Sequence, residues 1–276
     1  LTATLRLRRI ETTYFRQRAV VVHDLAELLA AFDEYDTRYP YSVAWIDPLA
    51  TGAALGQGVL TLGDHAALED LPERLRRDPR RVSASSPWTV PFELPELALN
   101  PLTLRALNLV IHQVQARGSA IAHYEKFFYP LDAVGEWNRG YGHRGFTQYQ
   151  FVVPLADGYA RMRTILERIA GSGLLPFLNV LKKLGPEEGI LSFPFEGYTF
   201  AIDFPIQPGL GELLASLDEM VIDAGGRIYL GKDAFTSAGA LERMYPKLGQ
   251  WREVKARWDP DGVFVSHLSR RVGLTA

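Results

Sequence analysis

The chain has 276 residues, 47% hydrophobic and 22% charged, with a formal net charge of −2, so it can bury a sizeable core in one large domain or two smaller ones. That charge balance gives no bulk electrostatic reason to bind nucleic acid. The absence of cysteine excludes disulfides, thiolate zinc sites, iron–sulfur clusters and a cysteine nucleophile, and no apolar run approaches the roughly 20 residues of a membrane span.

The sequence opens on Leu1 in a strand-like alternation, without a methionine and without a signal-peptide pattern. It is therefore expected to enter in mid-fold, as part of a longer protein. Residues 2–9 and 13–22 read as a hairpin turning at Glu11 and Thr12. Asp24 with Glu27 is a capping-box signature for a helix that buries Leu25, Leu28, Leu29 and Phe32. A strand over 41–47 places Val43, Trp45 and Asp47 on one face, and 55–62 reads as another strand. Residues 72–97 change character: Arg74, Arg76, Arg77, Arg80 and Arg81 run into serines, then into prolines interleaved with Trp88, Phe92 and Leu94. A long surface loop is expected there, and a helix over 101–116 burying Leu102, Leu107, Val110 and Ile111 follows it.

The second half is more regular. Strands are expected at 147–153, near 176–183, at 191–194 and at 198–204, and helices at 156–170 and 208–224. The latter carries Leu210, Leu213, Leu214, Leu217 and Val221 at helical spacing, ends at Gly225 and Gly226, and leads to a short strand from Arg227. The last 40 residues read as mostly helical. Strands and helices mix without strict alternation, which predicts an α+β fold built on a mainly antiparallel sheet.

Side chains two apart on a strand share a face. Gln148 and Gln150 therefore point one way, as a polar pocket lining or as a solvated edge. Thr199, Ala201 and Asp203 share the small face of their strand, opposite Phe200, Ile202 and Phe204. That face suits either a flat ligand or close packing of another backbone. Residues 226–232 match a Walker A spacing up to Lys232, but Asp233 stands where a magnesium-binding Ser or Thr belongs, and the intervening residues read as strand. No dinucleotide fingerprint follows a strand. No Gly-x-Ser-x-Gly occurs, and the six histidines show no metal-ligand spacing. Lys232 is either an ordinary surface lysine or, following Gly231 at a strand end, a cation placed to stabilise an anion formed during reaction.

Longer motifs carry a resemblance. The block 127–154, with its Phe-Tyr-Pro-Leu-Asp, Gly-Glu-Trp-Asn-Arg and Gln-Tyr-Gln-Phe-Val segments, joins 39–45, 177–186, 191–194, 202–205, 225–229 and the closing Asp-Pro-Asp-Gly-Val-Phe at 259–264. Together these resemble the decaprenylphosphoryl-β-D-ribose 2′-oxidase family, FAD flavoproteins of the vanillyl-alcohol-oxidase type, almost end to end. The resemblance implies a substrate-binding (cap) domain at 1–226 and a C-terminal segment at 227–276 that would pack on an FAD-binding domain outside this chain. It implies non-covalent FAD, held mostly by that absent domain, and oxidation of a secondary sugar alcohol to a ketone by hydride transfer to flavin N5. This chain alone is then expected to be inactive.

Carried over position by position, Lys232 matches the family's essential lysine beside the flavin. Gln148 and Gln150 match pocket glutamines, and Lys182 matches a pocket lysine suited to phosphate. Arg139 and Trp45 match residues lining the site. Three positions depart from the pattern: Ala201 replaces a cysteine, Thr199 an asparagine and Phe128 a tyrosine, which leaves the rim less polar and the sugar open. The general base would lie outside this chain. The implied partners are a polyprenyl-phosphate sugar or a sugar lactone, an unspecified electron acceptor and a candidate reductase, with no nucleic acid. Location is cytoplasmic or peripheral to the membrane, with 72–97 as the candidate contact; 72–97 and 129–146 are the expected lids. An aldonolactone or alditol oxidase of the same superfamily, and a non-catalytic sugar- or lipid-binding module, remain as alternatives.

Overall fold

The computed structural model describes residues 2–82, 88–95, 100–116, 118–187 and 189–275. Its strands are β1 (Tyr14–Val22), β2 (Tyr41–Ile46), β3 (Gly58–His65), β4 (Trp88–Thr89), β5 (Ala120–His123), β6 (Val134–Gly135), β7 (Phe146–Pro154), β8 (Asn179–Leu184), β9 (Gly197–Pro205) and β10 (Arg227–Ile228). The helices are α1 (Leu25–Tyr35), α2 (Glu73–Arg76), α3 (Pro101–Gln115), α4 (Tyr124–Phe128), α5 (Gly158–Ala170), α6 (Leu210–Asp223), α7 (Ala238–Met244), α8 (Leu248–Trp258) and α9 (His267–Arg271).

Alternating side chains on the long strands produce one eight-stranded antiparallel sheet, in the order β10-β7-β9-β8-β2-β3-β1-β5. One face carries Tyr149, Phe151, Phe200, Ile202, Phe204, Leu181, Leu60 and Leu62, all buried. Against it pack α1, α5, α6 and α7, in a single hydrophobic core. Burying each such side chain contributes about 1.5–3 kcal/mol. Helix α6 turns inward all five aliphatic residues its spacing predicts. The α+β antiparallel architecture expected from the sequence is thus the one observed. The segment after 227 joins the same sheet and core: β10 pairs with β7, and Leu241, Met244 and Tyr245 are buried.

Local signals locate several boundaries. Asp24 caps α1 by accepting from the Glu27 N–H at 2.8 Å. Glu27 reaches back to the His23 N–H, one residue earlier than a capping box requires. Asn100 caps α3 with Pro101 at the first helical position.

Four expectations are corrected. Residues 2–9 form no strand, because both edges of β1 are taken, by β3 and β5. Residues 191–194 form none either, since both edges of β9 belong to β7 and β8. The strand expected at 55–62 is displaced to β3, because Gly56 adopts φ +87° in the preceding turn and a Cβ there would meet the Leu25 backbone at 2.8 Å. Helix α3 buries Leu104 and Asn108 instead of Leu102 and Val110. A polar anchor decides its rotation: Asn108 Nδ2 donates to Asp47 Oδ1 at 2.7 Å.

The 72–97 region is partly ordered by α2 and β4; its residues 83–87 and 96–99 lie outside the described residues. Where described, it zips onto the 129–146 segment. Trp88 and Thr89 pair in parallel with Val134 and Gly135, and the Val90 and Leu94 amides donate to Gly135 and Arg139 carbonyls, each at 2.9 Å.

Candidate active site

Opposite the helices, the sheet presents its other face. The register puts Gln148 across from Asp203, Gln150 across from Ala201 and Val152 across from Thr199. On β8, Val180 lies beside Ala201 and Lys182 beside Thr199, and Trp45 of β2 faces Val180. Six of the residues singled out by sequence therefore share one continuous sheet face: Gln148, Gln150, Thr199, Ala201, Lys182 and Trp45.

Lys232 arrives from the turn after β10. The Tyr229 N–H donates to the Gln150 carbonyl at 2.8 Å, and the Lys232 N–H donates to the Tyr229 carbonyl at 3.0 Å. Gly231 lets the Tyr229 ring lie close, since a Cβ there would meet it at 2.8 Å and push it aside. The half-buried Lys232 ammonium has its pKa lowered by burial; Asp203 pulls it back up and Lys182 pushes it further down. Neither the Lys232 ammonium nor the Lys182 ammonium makes a hydrogen bond or ion pair with another described residue.

Asp203 is the anion of this group and is 2% exposed. It accepts from Gln148 Nε2 at 2.6 Å and from the Tyr141 hydroxyl at 3.2 Å. Burial raises its pKa, while those two hydrogen bonds and Lys232 lower it. Gln150 Nε2 donates to Thr199 Oγ1 at 3.0 Å, and that hydroxyl donates on to the Phe151 carbonyl at 2.8 Å. Both amides are thus oriented by partners and keep donors or acceptors free. Tyr229, its ring centre 4.8 Å from that of Phe193 and tilted against it, walls the side toward β10.

Two of the expected residues lie apart from this cluster. Arg139 uses its guanidinium on the Val90 and Pro91 carbonyls, at 2.9 and 3.3 Å, and so ties down the 88–95 segment. Phe128 sits at the far end of the same sheet face, 5.1 Å from both Phe15 and Tyr41, in an aromatic group with Phe127 and His65. Gly63 makes room for it, because a Cβ there would strike the Phe127 ring at 2.5 Å. The face thus grades from amides and lysines at β7–β9 to aromatic rings at β1–β3. Trp45 stands between the two ends, its buried Nε1 without a hydrogen-bond partner. Sequence reasoning assigned no role to Asp203, Tyr141, Tyr229 or Phe193. Only Asp203 carried a signal, its two-residue spacing from Ala201.

A flavin fits this donor set. The Lys232 ammonium, without a side-chain partner among the described residues, and the two oriented amides would hold an electron-rich planar ring, and Ala201 puts only a methyl group on that sheet face. No described helix is long and apolar enough to cross a membrane.

The chain is similar in fold or in sequence to several known proteins. Cholesterol oxidase from B. sterolicum superposes with a TM-score of 0.52 at 13% identity, over 94% of this chain and 59% of that one. The architecture is that of vanillyl-alcohol-oxidase-type flavoenzymes. Residues 204–272 match the family model of D-arabinono-1,4-lactone oxidase. Decaprenylphosphoryl-beta-D-ribose oxidase of Mycolicibacterium smegmatis is 37% identical over 99% of this chain and 60% of its own length. A Streptomyces coelicolor protein described as an uncharacterized protein in the mprA 5′ region is 35% identical over 99% of the chain and 77% of its own length. The chain belongs to one family with the S. coelicolor protein and is similar over nearly its whole length to the M. smegmatis oxidase. It spans 60% of the length of the M. smegmatis relative.

Proposed function

We propose that this chain is the substrate-facing portion of an FAD-dependent oxidoreductase that converts a secondary hydroxyl of a polyprenyl-phosphate pentose to a ketone. Residues 1–226 form its substrate-binding part, and 227–276 also pack on an FAD-binding domain. The observation that carries this reading is the half-buried Lys232 beside Gln148, Gln150, Asp203 and Lys182 on one sheet face. The flavin, when bound, supplies the hydride acceptor.

The chain's own residues do the rest. Lys232 holds a cation where negative charge develops, and in a partly desolvated site such a charge acts more strongly than in water. Gln148 and Gln150 hydrogen-bond ring heteroatoms and sugar hydroxyls without adding charge. Lys182, exposed at the rim, meets a phosphate. The exposed Phe128, backed by the buried Phe15, gives the prenyl chain an apolar surface beyond the sugar.

The match of 204–272 to a lactone oxidase family supports a second reading, oxidation of an aldonolactone. The two separate in one experiment. Full-length protein is mixed anaerobically with a polyprenyl-phosphate pentose or with a free aldonolactone, and flavin bleaching is followed. Bleaching by the phosphate-bearing lipid is expected. Bleaching by the lactone alone would replace the proposal with the second reading, and bleaching by neither would remove both.

A further inference from the structure

The helix-covered side of the sheet opens a cavity at its β1–β5 edge. Its volume is about 600 Å³, and Arg16, Gln17, Arg18, Arg38, Asp64 and Ser119 are among its lining residues. Arg18 pairs with Leu62 across β1 and β3, so it points to the face opposite Lys232. β1 is five strands from β7, about 24 Å at the usual strand spacing. This cavity is therefore separate from the candidate active site.

Its charge is poorly compensated. The Arg18 and Arg38 guanidiniums lie 4.8 and 5.3 Å from the centre of one ring, Tyr35. Arg18 Nη2 donates to the Tyr35 hydroxyl at 3.2 Å, and no described carboxylate lies within 4.0 Å of Arg18. Arg38 has Glu34 at 3.7 Å, with both side chains more than half exposed, a pair that solvent screens. Arg16 is the third guanidinium; Asp64 at 3.3 Å and Asp70 at 3.5 Å meet its charge. Two like charges are thus gathered on one phenol with no buried acid between them. Each keeps most of its five N–H donors in a planar fork that matches phosphate oxygens two at a time. The volume falls in the range of small-molecule sites, about 300–1,000 Å³, and exceeds what a lone phosphate fills.

We propose that this cavity binds a phosphate ester of about the size of a phosphorylated sugar, clamped by Arg18 and Arg38. A soluble ester and a lipid headgroup share that chemistry. Calorimetric titration of the full-length protein with ribose 5-phosphate tests the soluble source. Sedimentation with phosphatidylcholine vesicles containing phosphatidic acid tests the lipid one. Saturable binding to one of them is expected, weakened at least ~10-fold by Arg38→Ala and by Arg18→Ala, and unchanged in Lys182→Ala and Lys232→Ala. Arg18→Lys keeps the charge, loses the fork and falls between. Arg18 touches the core residue Tyr35, so thermal melts accompany its variants; if these unfold, the exposed Arg38→Ala decides alone. Absence of saturable binding to either probe overturns the proposal. So does binding that survives Arg38→Ala, or binding that is lost only in the lysine variants.

Discussion

Gln148 of β7 donates to the Asp203 carboxylate of β9 at 2.6 Å, fixing a buried anion on the sheet face that Lys232 approaches. The charge state of Lys232 is thereby set by neighbours of opposite sign. Burial pulls its pKa down most; Asp203 raises it against that pull, and Lys182 lowers it further. Asp203→Asn is expected to lower the Lys232 pKa further, and Lys182→Ala to raise it. Side-chain carbon shifts of Lys232 across a pH titration read both changes; shifts in the same direction, or none, would break the electrostatic link.

Lys232→Ala should slow flavin reduction in the full-length enzyme by about 10²–10³-fold, the usual cost of removing one preorganised charge-stabilising donor. The melting temperature should stay within a few degrees, because the Lys232 ammonium makes no hydrogen bond or ion pair with another described residue. Single-turnover bleaching checks this, and wild-type rates would take Lys232 out of the chemistry.

Lys182 lies at the rim. Lys182→Ala should raise KM for phosphate-bearing substrates about tenfold or more, in line with loss of a charged hydrogen bond, and leave kcat nearly unchanged. A phosphate-free sugar should be indifferent to the change. Equal losses for both substrates would give Lys182 a structural role instead.

Asp218 of α6 is 7% exposed and accepts from the Tyr149 hydroxyl at 2.8 Å and the Thr236 hydroxyl at 3.0 Å. Burial nevertheless pushes its pKa up to about 6. A carboxyl whose folded pKa exceeds its unfolded one favours the folded state below the unfolded value and loses that contribution as pH rises through the folded value. Between pH 4 and 7 the wild type should therefore lose stability relative to Asp218→Asn, by about 2 kcal/mol. Urea unfolding of both proteins at the two pH values measures it, and parallel curves would contradict the assignment.

Much of this was legible in the sequence where the information is local. The 3.6-residue spacing of α6 needs no partner to be read. The two-residue period already placed Gln148 with Gln150, and Thr199 with Ala201 and Asp203. What escaped depends on distant pairing. Nothing near residues 2–9 reports that β5, more than a hundred residues later, takes the edge they would need. The helical spacing of α3 allowed two faces, and only the Asn108–Asp47 bond selects between them. Tyr141 reaches Asp203 because the segment before β7 folds back over the sheet, which no local pattern announces. Arg139 looked like a pocket residue by resemblance, yet its side chain is committed to the backbone of a segment some fifty positions earlier.

The two lysines of β8 are neighbours in sequence and opposites in circumstance. Lys182 stands on the open face, while Lys183 points to the helices, where Asp33 and Asp36 each approach its ammonium to 2.8 Å. A slip of β8 by one residue would exchange them. Lys183 would lose both acids, and Leu181 would leave the core for the opposite face. The lysine doublet therefore tolerates either frame, because the slip turns Lys182 toward the acids, and the apolar Leu181 is the residue that holds the strand to one alignment.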